Sequence, residues 1–125
     1  MAFKVGWAII YVSDMQRAVE FYGDTVGIGV RTTSEEFPEF VELATEGAIL
    51  ALHSVDPGWS DNQKRIGRPT GITITVPDID SVYRSMSAKG VRFSQPPKTE
   101  PWGGKTTTFF DPDGNETALM EAREF

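Results

Sequence analysis

Apolar residues fill both alternating sets of positions from Trp7 to Val12: Ala8, Ile10 and Val12 on one face, Trp7, Ile9 and Tyr11 on the other. That is the pattern of a strand covered on both sides. From Met15 the period changes. Met15, Ala18, Val19 and Tyr22 fall at spacings 0, 3, 4 and 7, which is one face of a helix. Ser13-Asp14 separates the two patterns, and Asp14 suits the N-cap position. The same succession returns 64 residues later. Ile72, Ile74 and Val76 alternate with Thr73 and Thr75, Pro77-Asp78 makes the turn, and Ile79, Val82, Tyr83 and Met86 repeat the helical spacing. Agreement through a strand, a cap and a helix marks the chain as two copies of one module.

The rest of each module follows from turn signals. In the first, the helix runs from Met15 to about Tyr22, with Gly23 and Gly27 at its end. A short extended piece over 28–33, a strand over 35–43 and a strand over 48–53 after the Glu46-Gly47 turn complete it. In the second, the helix spans Ile79 to about Ala88, with Gly90 as its stop. Residues 95–104, QPPKTEPWGG, read as an irregular loop. Strands over 105–110 and 117–121 flank Asp111-Pro112-Asp113-Gly114, where proline sets φ and glycine accepts a positive one. A shift of 67 superposes Glu46-Gly47 on Asp113-Gly114 and Ala51 on Ala118. The prediction is one domain over 1–125, made of modules 1–53 and 70–125 joined by a 54–69 linker rich in glycine, proline and polar residues. Trp59 stands in the middle of that linker, as a packed anchor or as a ligand contact.

Composition narrows the function classes. A formal charge of −6 and a pI near 4.7 argue against a nucleic-acid partner, which needs a basic footprint. The same charge permits a cationic ligand or simply keeps the protein soluble. With no cysteine there is no disulfide, thiol nucleophile or cysteine metal site. The first residues, MAFKVGWAII, lack the apolar run of a signal peptide, and no later run is long enough to span a bilayer. The cytoplasm, with no membrane association, is the expected location.

The stretches VSDMQRAVEFYGDTVGI, VPDIDSVYRSMSAKGVRF and TTTFFDPDGNETALME resemble the vicinal oxygen chelate superfamily, which includes glyoxalase I, bleomycin resistance proteins and extradiol dioxygenases. The resemblance covers nearly the whole chain. It implies an α+β fold of two βαβββ modules in tandem, forming a curved mixed sheet with a central cleft, and commonly a homodimer. It also implies a divalent metal in that cleft, held by His, Gln or Glu from the first and last strands of each module. The first ligand position lies seven residues before the capping Asp, which here is Trp7, and its partner in the second module is Gly71. The late position lies seven residues after Asp111, which is Ala118, and its partner is Ala51. None of these side chains binds a divalent ion. No metal and no other cofactor is therefore expected.

The faces that would line the cleft carry Trp7, Ile9, Tyr11, Ala51, His53, Gly71, Thr73, Thr75, Ala118 and Met120, and Trp102 in the second loop joins them as a ligand-binding candidate. Flat apolar side chains with a few polar groups describe a small-molecule site. A packed core, with Trp7 opposite Gly71, is the alternative for the same residues. Three functions stay open. One is a metal-independent protein that sequesters a planar or cationic compound, as bleomycin resistance proteins do. Another is a lyase, isomerase or dioxygenase of the superfamily with a non-standard site around His53, the only histidine and the one catalytic candidate. The third is a structural or regulatory module without a small ligand.

Overall fold

A computed structural model describes residues 2–55 and 64–122 of the chain. Trp59 and half of the expected linker, 56–63, lie outside the described residues. The chain divides into two compact units, Met1–Gly67 and Arg68–Phe125.

The first unit runs β1 (Trp7–Val12), α1 (Met15–Val19), a π-helical segment (Glu20–Thr25), β2 (Val30–Thr32), β3 (Phe40–Leu43) and β4 (Ile49–Ser54). Its sheet has the order β1-β4-β3-β2. β1 and β4 are parallel, and the other neighbours are antiparallel. The second unit runs β5 (Pro69–Val76), α2 (Ile79–Ala88), β6 (Arg92–Phe93), β7 (Lys98–Thr99), β8 (Lys105–Phe110) and β9 (Glu116–Glu121). Its sheet has the order β5-β9-β8-β6, with β7 paired to β8. Without β7 the two orders are the same, so each unit is a βαβββ module and the fold is α+β. A parallel pair needs a crossover, and in each unit the helix and the intervening strands supply it.

Both helices start on the aspartate that the pattern singles out. Asp14 accepts a hydrogen bond from the Arg17 backbone N–H at 3.1 Å. Asp78 accepts from Ser81 N at 3.2 Å and from its hydroxyl at 2.9 Å. These bonds, the backbone one first, hold the Asp78 carboxyl below its usual pKa. The first helix does not stop at Tyr22. Its last turns widen, with Val26 N bonding Phe21 O at 2.8 Å and Ile28 N bonding Tyr22 O at 3.0 Å, until Gly27 ends them at φ 92°. The widened turn seats Tyr22, fully buried, against the edge of Phe21.

Three expectations change. The strand over 35–43 is confined to Phe40–Leu43, because Pro38 has no N–H for a ladder and the charged residues before it stay exposed. Helix α1 and the π-helical segment reach Thr25, past the expected end at Tyr22. Residues 95–104 are not wholly irregular. Lys98-Thr99 pairs with Lys105-Thr106 across a tight turn in which Glu100 N bonds Gly104 O at 2.7 Å and Gly103 takes φ 97°. The Trp102 ring lies over Gly104 so closely that a Cβ at that position would overlap it.

The helix-side face of the first sheet is core. Ile10, Val12, Val41, Leu43, Leu50 and Leu52 are buried, as are Ala18 and Tyr22. At about 25 cal/mol per Å² of apolar area, this layer dominates the unit's stability. In the second unit Ile79, Met86, Phe109 and Leu119 play that part, with Phe93 edge-on between Tyr83 and Phe109. The turn before β9 is closed by Asp111, also buried. Its Oδ1 accepts from Asp113 N and Asn115 N, both at 2.9 Å, and its Oδ2 from Asn115 Nδ2 at 2.8 Å.

Candidate functional site

The other face of the first sheet is laid out by strand register. Tyr11, His53 and Phe40 form one row across β1, β4 and β3. Ile9, Ala51, Glu42 and Thr32 form the next, and Trp7 with Ile49 the one after. Paired positions share a face, so all of these side chains stand on the side away from the buried leucines and valines.

Two of the rows are tied together by Trp7. Its indole Nε1–H donates to Glu42 Oε2 at 2.7 Å, across the whole width of β4. Ala51 lies between the two on the same face and is fully buried. Thr32 Oγ1 donates to the other carboxylate oxygen, Oε1, at 2.7 Å. The Trp7 bond first, then the Thr32 bond, with a smaller contribution from the charge of Arg31, hold the Glu42 carboxyl below its usual pKa. Glu42 is thus an ionised group with each oxygen already oriented by one donor.

An aromatic row runs beside it. Trp7 meets Phe40 edge to face with centroids 6.2 Å apart, Phe40 meets His53 likewise at 6.0 Å, and His53 tilts against Tyr11 at 5.7 Å. His53 Nδ1 lies 2.8 Å from the Ser54 carbonyl oxygen. A carbonyl only accepts, so Nδ1 carries the proton, and in the neutral tautomer with this bond the lone pair is at Nε2. At the far end Arg65 donates to the Tyr11 hydroxyl at 2.9 Å and holds its guanidinium 5.1 Å from that ring's centre. A groove of about 380 Å³ opens between this face and the segment before β3. Thr32, Phe37, Glu39, Phe40, Glu42 and His53 are among its walls. That volume lies within the range of small-molecule sites.

Of the residues expected to bind ligand, Trp7, Ile9, Tyr11, Ala51 and His53 therefore share one face. In the second unit Thr73 pairs with Ala118 and Thr75 with Met120, so these four share a face of the second sheet, next to Thr108 and Thr106 of β8. Gly71 departs from the regular ladder. β5 shifts register against β9 between Pro69 and Thr73, and Gly71 sits in that bulge at φ 73°. Trp102 is exposed on the β7–β8 hairpin. Phe40 and Glu42 were not singled out by the sequence, although their alternation with the buried Val41 and Leu43 puts them on the same side as His53. Thr32, Phe37 and Arg65 carried no pattern at all.

The superfamily's metal can be tested against these residues. The indole nitrogen of Trp7 is a donor, already spent on Glu42. Ala51, Gly71 and Ala118 bring no ligand atom, and among the described residues no three His, Cys, Asp or Glu side chains come together as a metal would need. The residues do not fit a divalent ion.

The sequence pattern described as the Glyoxalase/Bleomycin resistance protein/Dioxygenase superfamily matches residues 4–119. YetH of Bacillus subtilis is 28% identical over 120 residues, which is 94% of this chain and 98% of YetH. A solved structure of a superfamily member from Sphaerobacter thermophilus is 37% identical, with a TM-score of 0.80 over 98% of both chains. TnmS3, an antibiotic binding protein from Streptomyces sp. CB03234, is 29% identical, with a TM-score of 0.77 over 98% of this chain and 99% of its own. Sequence match, doubled βαβββ unit and shared fold agree, and the chain belongs to the glyoxalase/bleomycin resistance protein/dioxygenase superfamily.

Proposed function

We propose that the protein is a metal-independent binder that sequesters a planar or cationic small molecule, in the manner of bleomycin resistance proteins. One observation carries the reading: the row Trp7–Phe40–His53–Tyr11 beside an open groove, on a sheet face whose reverse side is solid core. Flat aromatic faces bordered by a few oriented polar groups bind planar ligands by stacking and select among them by hydrogen bonds. The likeness to an antibiotic binding protein supports the same reading.

The test is a panel of planar aromatic compounds screened by tryptophan fluorescence and by melting temperature. A ligand of this site quenches Trp7 and raises the melting temperature, and Trp7→Ala abolishes both responses. A panel in which no compound does either sinks the proposal. A second reading has one observation in its favour, the hydrogen bond from His53 Nδ1 to the Ser54 carbonyl, which fixes the tautomer whose Nε2 suits a general base for lyase or isomerase chemistry. It requires His53→Gln to remove turnover while leaving binding intact.

A further inference from the structure

We propose that the groove of the first unit seats a positively charged nitrogen of an aromatic ligand, and that Glu42 is the residue that selects this charge. The inference rests on the binding reading above and names the chemistry of its ligand.

The groove carries two carboxylates, Glu39 and Glu42, and among the described residues no lysine or arginine forms its wall. Among the described residues neither carboxylate is in an ion pair. Arg31, the cation whose charge reaches Glu42, stands next to Thr32 on β2 and is not among the described residues that line the groove. Glu42 differs from an ordinary surface glutamate because Trp7 and Thr32 fix both of its oxygens. A carboxylate oxygen has capacity for a second partner, and this pre-orientation removes the entropy cost of meeting one. The aromatic walls add to the preference. Phe37 and Phe40 are among the walls of the same groove, and a cation is drawn to aromatic rings as well as to a carboxylate. The chain itself shows that this row accepts a cation, since the Arg65 guanidinium already lies over Tyr11. An anion would meet two like charges, and a neutral ring would gain only stacking.

The experiment compares 1-methylquinolinium with quinoline, which is uncharged at pH 8. Binding is followed through the Trp7 indole N–H resonance, assigned with Trp7→Phe. That proton sits in the hydrogen bond to Glu42, so it reports the seat directly. The cation should bind about tenfold or more tightly than quinoline, with the gap narrowing as salt rises from about 20 to 500 mM. Glu42→Gln should collapse the gap. Thr32→Val, which removes one donor and keeps the charge, should retain most of it. Equal affinity for the two probes, a gap that survives Glu42→Gln, or a gap lost as fully in Thr32→Val overturns the charge assignment and leaves the binding reading standing. If neither probe moves the resonance at millimolar concentration, both fall together.

Discussion

Trp7 reaches Glu42 over a strand that separates them by two sheet spacings, about 10 Å. The residue between them in register, Ala51, is fully buried and has a side chain small enough to leave room above β4. This gives Ala51 a role that neither its size nor its place in the sequence announces. Ala51→Leu should push the indole off Glu42, lose the downfield Trp7 N–H signal, and destabilise the protein by about 1–3 kcal/mol through overpacking. An unchanged Trp7 resonance in that variant would show that the ring does not pass over β4. At this scale the sequence was informative for β1 and β4, where alternation sorts Trp7, Tyr11 and His53 from Ile10, Val12 and Leu52. It was uninformative for Glu42. A lone glutamate in a short strand looks like any solvated charge until the fold sets a tryptophan and a threonine against its two oxygens.

Among the elements, the two helix starts were the most legible, since capping is local chemistry written within four residues. Asp14→Ala should cost about 1 kcal/mol and lower the melting temperature by a few degrees, read by calorimetry. Asp78→Ala should destabilise in the same direction, with a pH signature. The Asp78 pKa is lowered in the folded state from 3.8, so its contribution is fully present above that value and fades as pH falls through the folded pKa below it. The stability difference between the native chain and Asp78→Ala should therefore be flat at neutral pH and shrink only in acid. A difference that disappears between pH 6 and 5 would contradict the cap as its source. The elements that escaped the sequence are those set by long-range pairing. β7 is two residues long and exists because Lys105 and Thr106 stand opposite it, and the π-helical turns depend on burying Tyr22.

For the molecule as a whole, the internal repeat carried the fold: a common strand order in both units follows from the 64-residue echo. The donor-poor ligand positions lead to a prediction at this scale. Zn, Ni, Mn or Fe should leave the melting temperature unchanged. A bound ion at a hundredfold excess over Kd would add about 2.7 kcal/mol, a shift of several degrees in a protein of this size. A chelator-sensitive melting temperature would refute metal independence. We also propose an isologous homodimer, the commonest oligomer. Sedimentation at micromolar concentration should return twice the 13.8 kDa chain mass, and a monomer would exclude it.

The bulge at Gly71 bears on whether a metal site could be built into this chain. An engineered metal site at the positions the resemblance assigns would need a donor side chain there, and replacing the other three, Trp7, Ala51 and Ala118, would look like simple point mutation. At φ 73°, however, a residue with a Cβ sits in the left-handed region, at a cost of roughly 1–2 kcal/mol, and the strand is out of step with its neighbour besides. Gly71→His should therefore cost about that much unless the bulge is removed as well, a change in chain length and not only in side chains. The obstacle to a donor at this position therefore lies in the backbone as well as in the side chain.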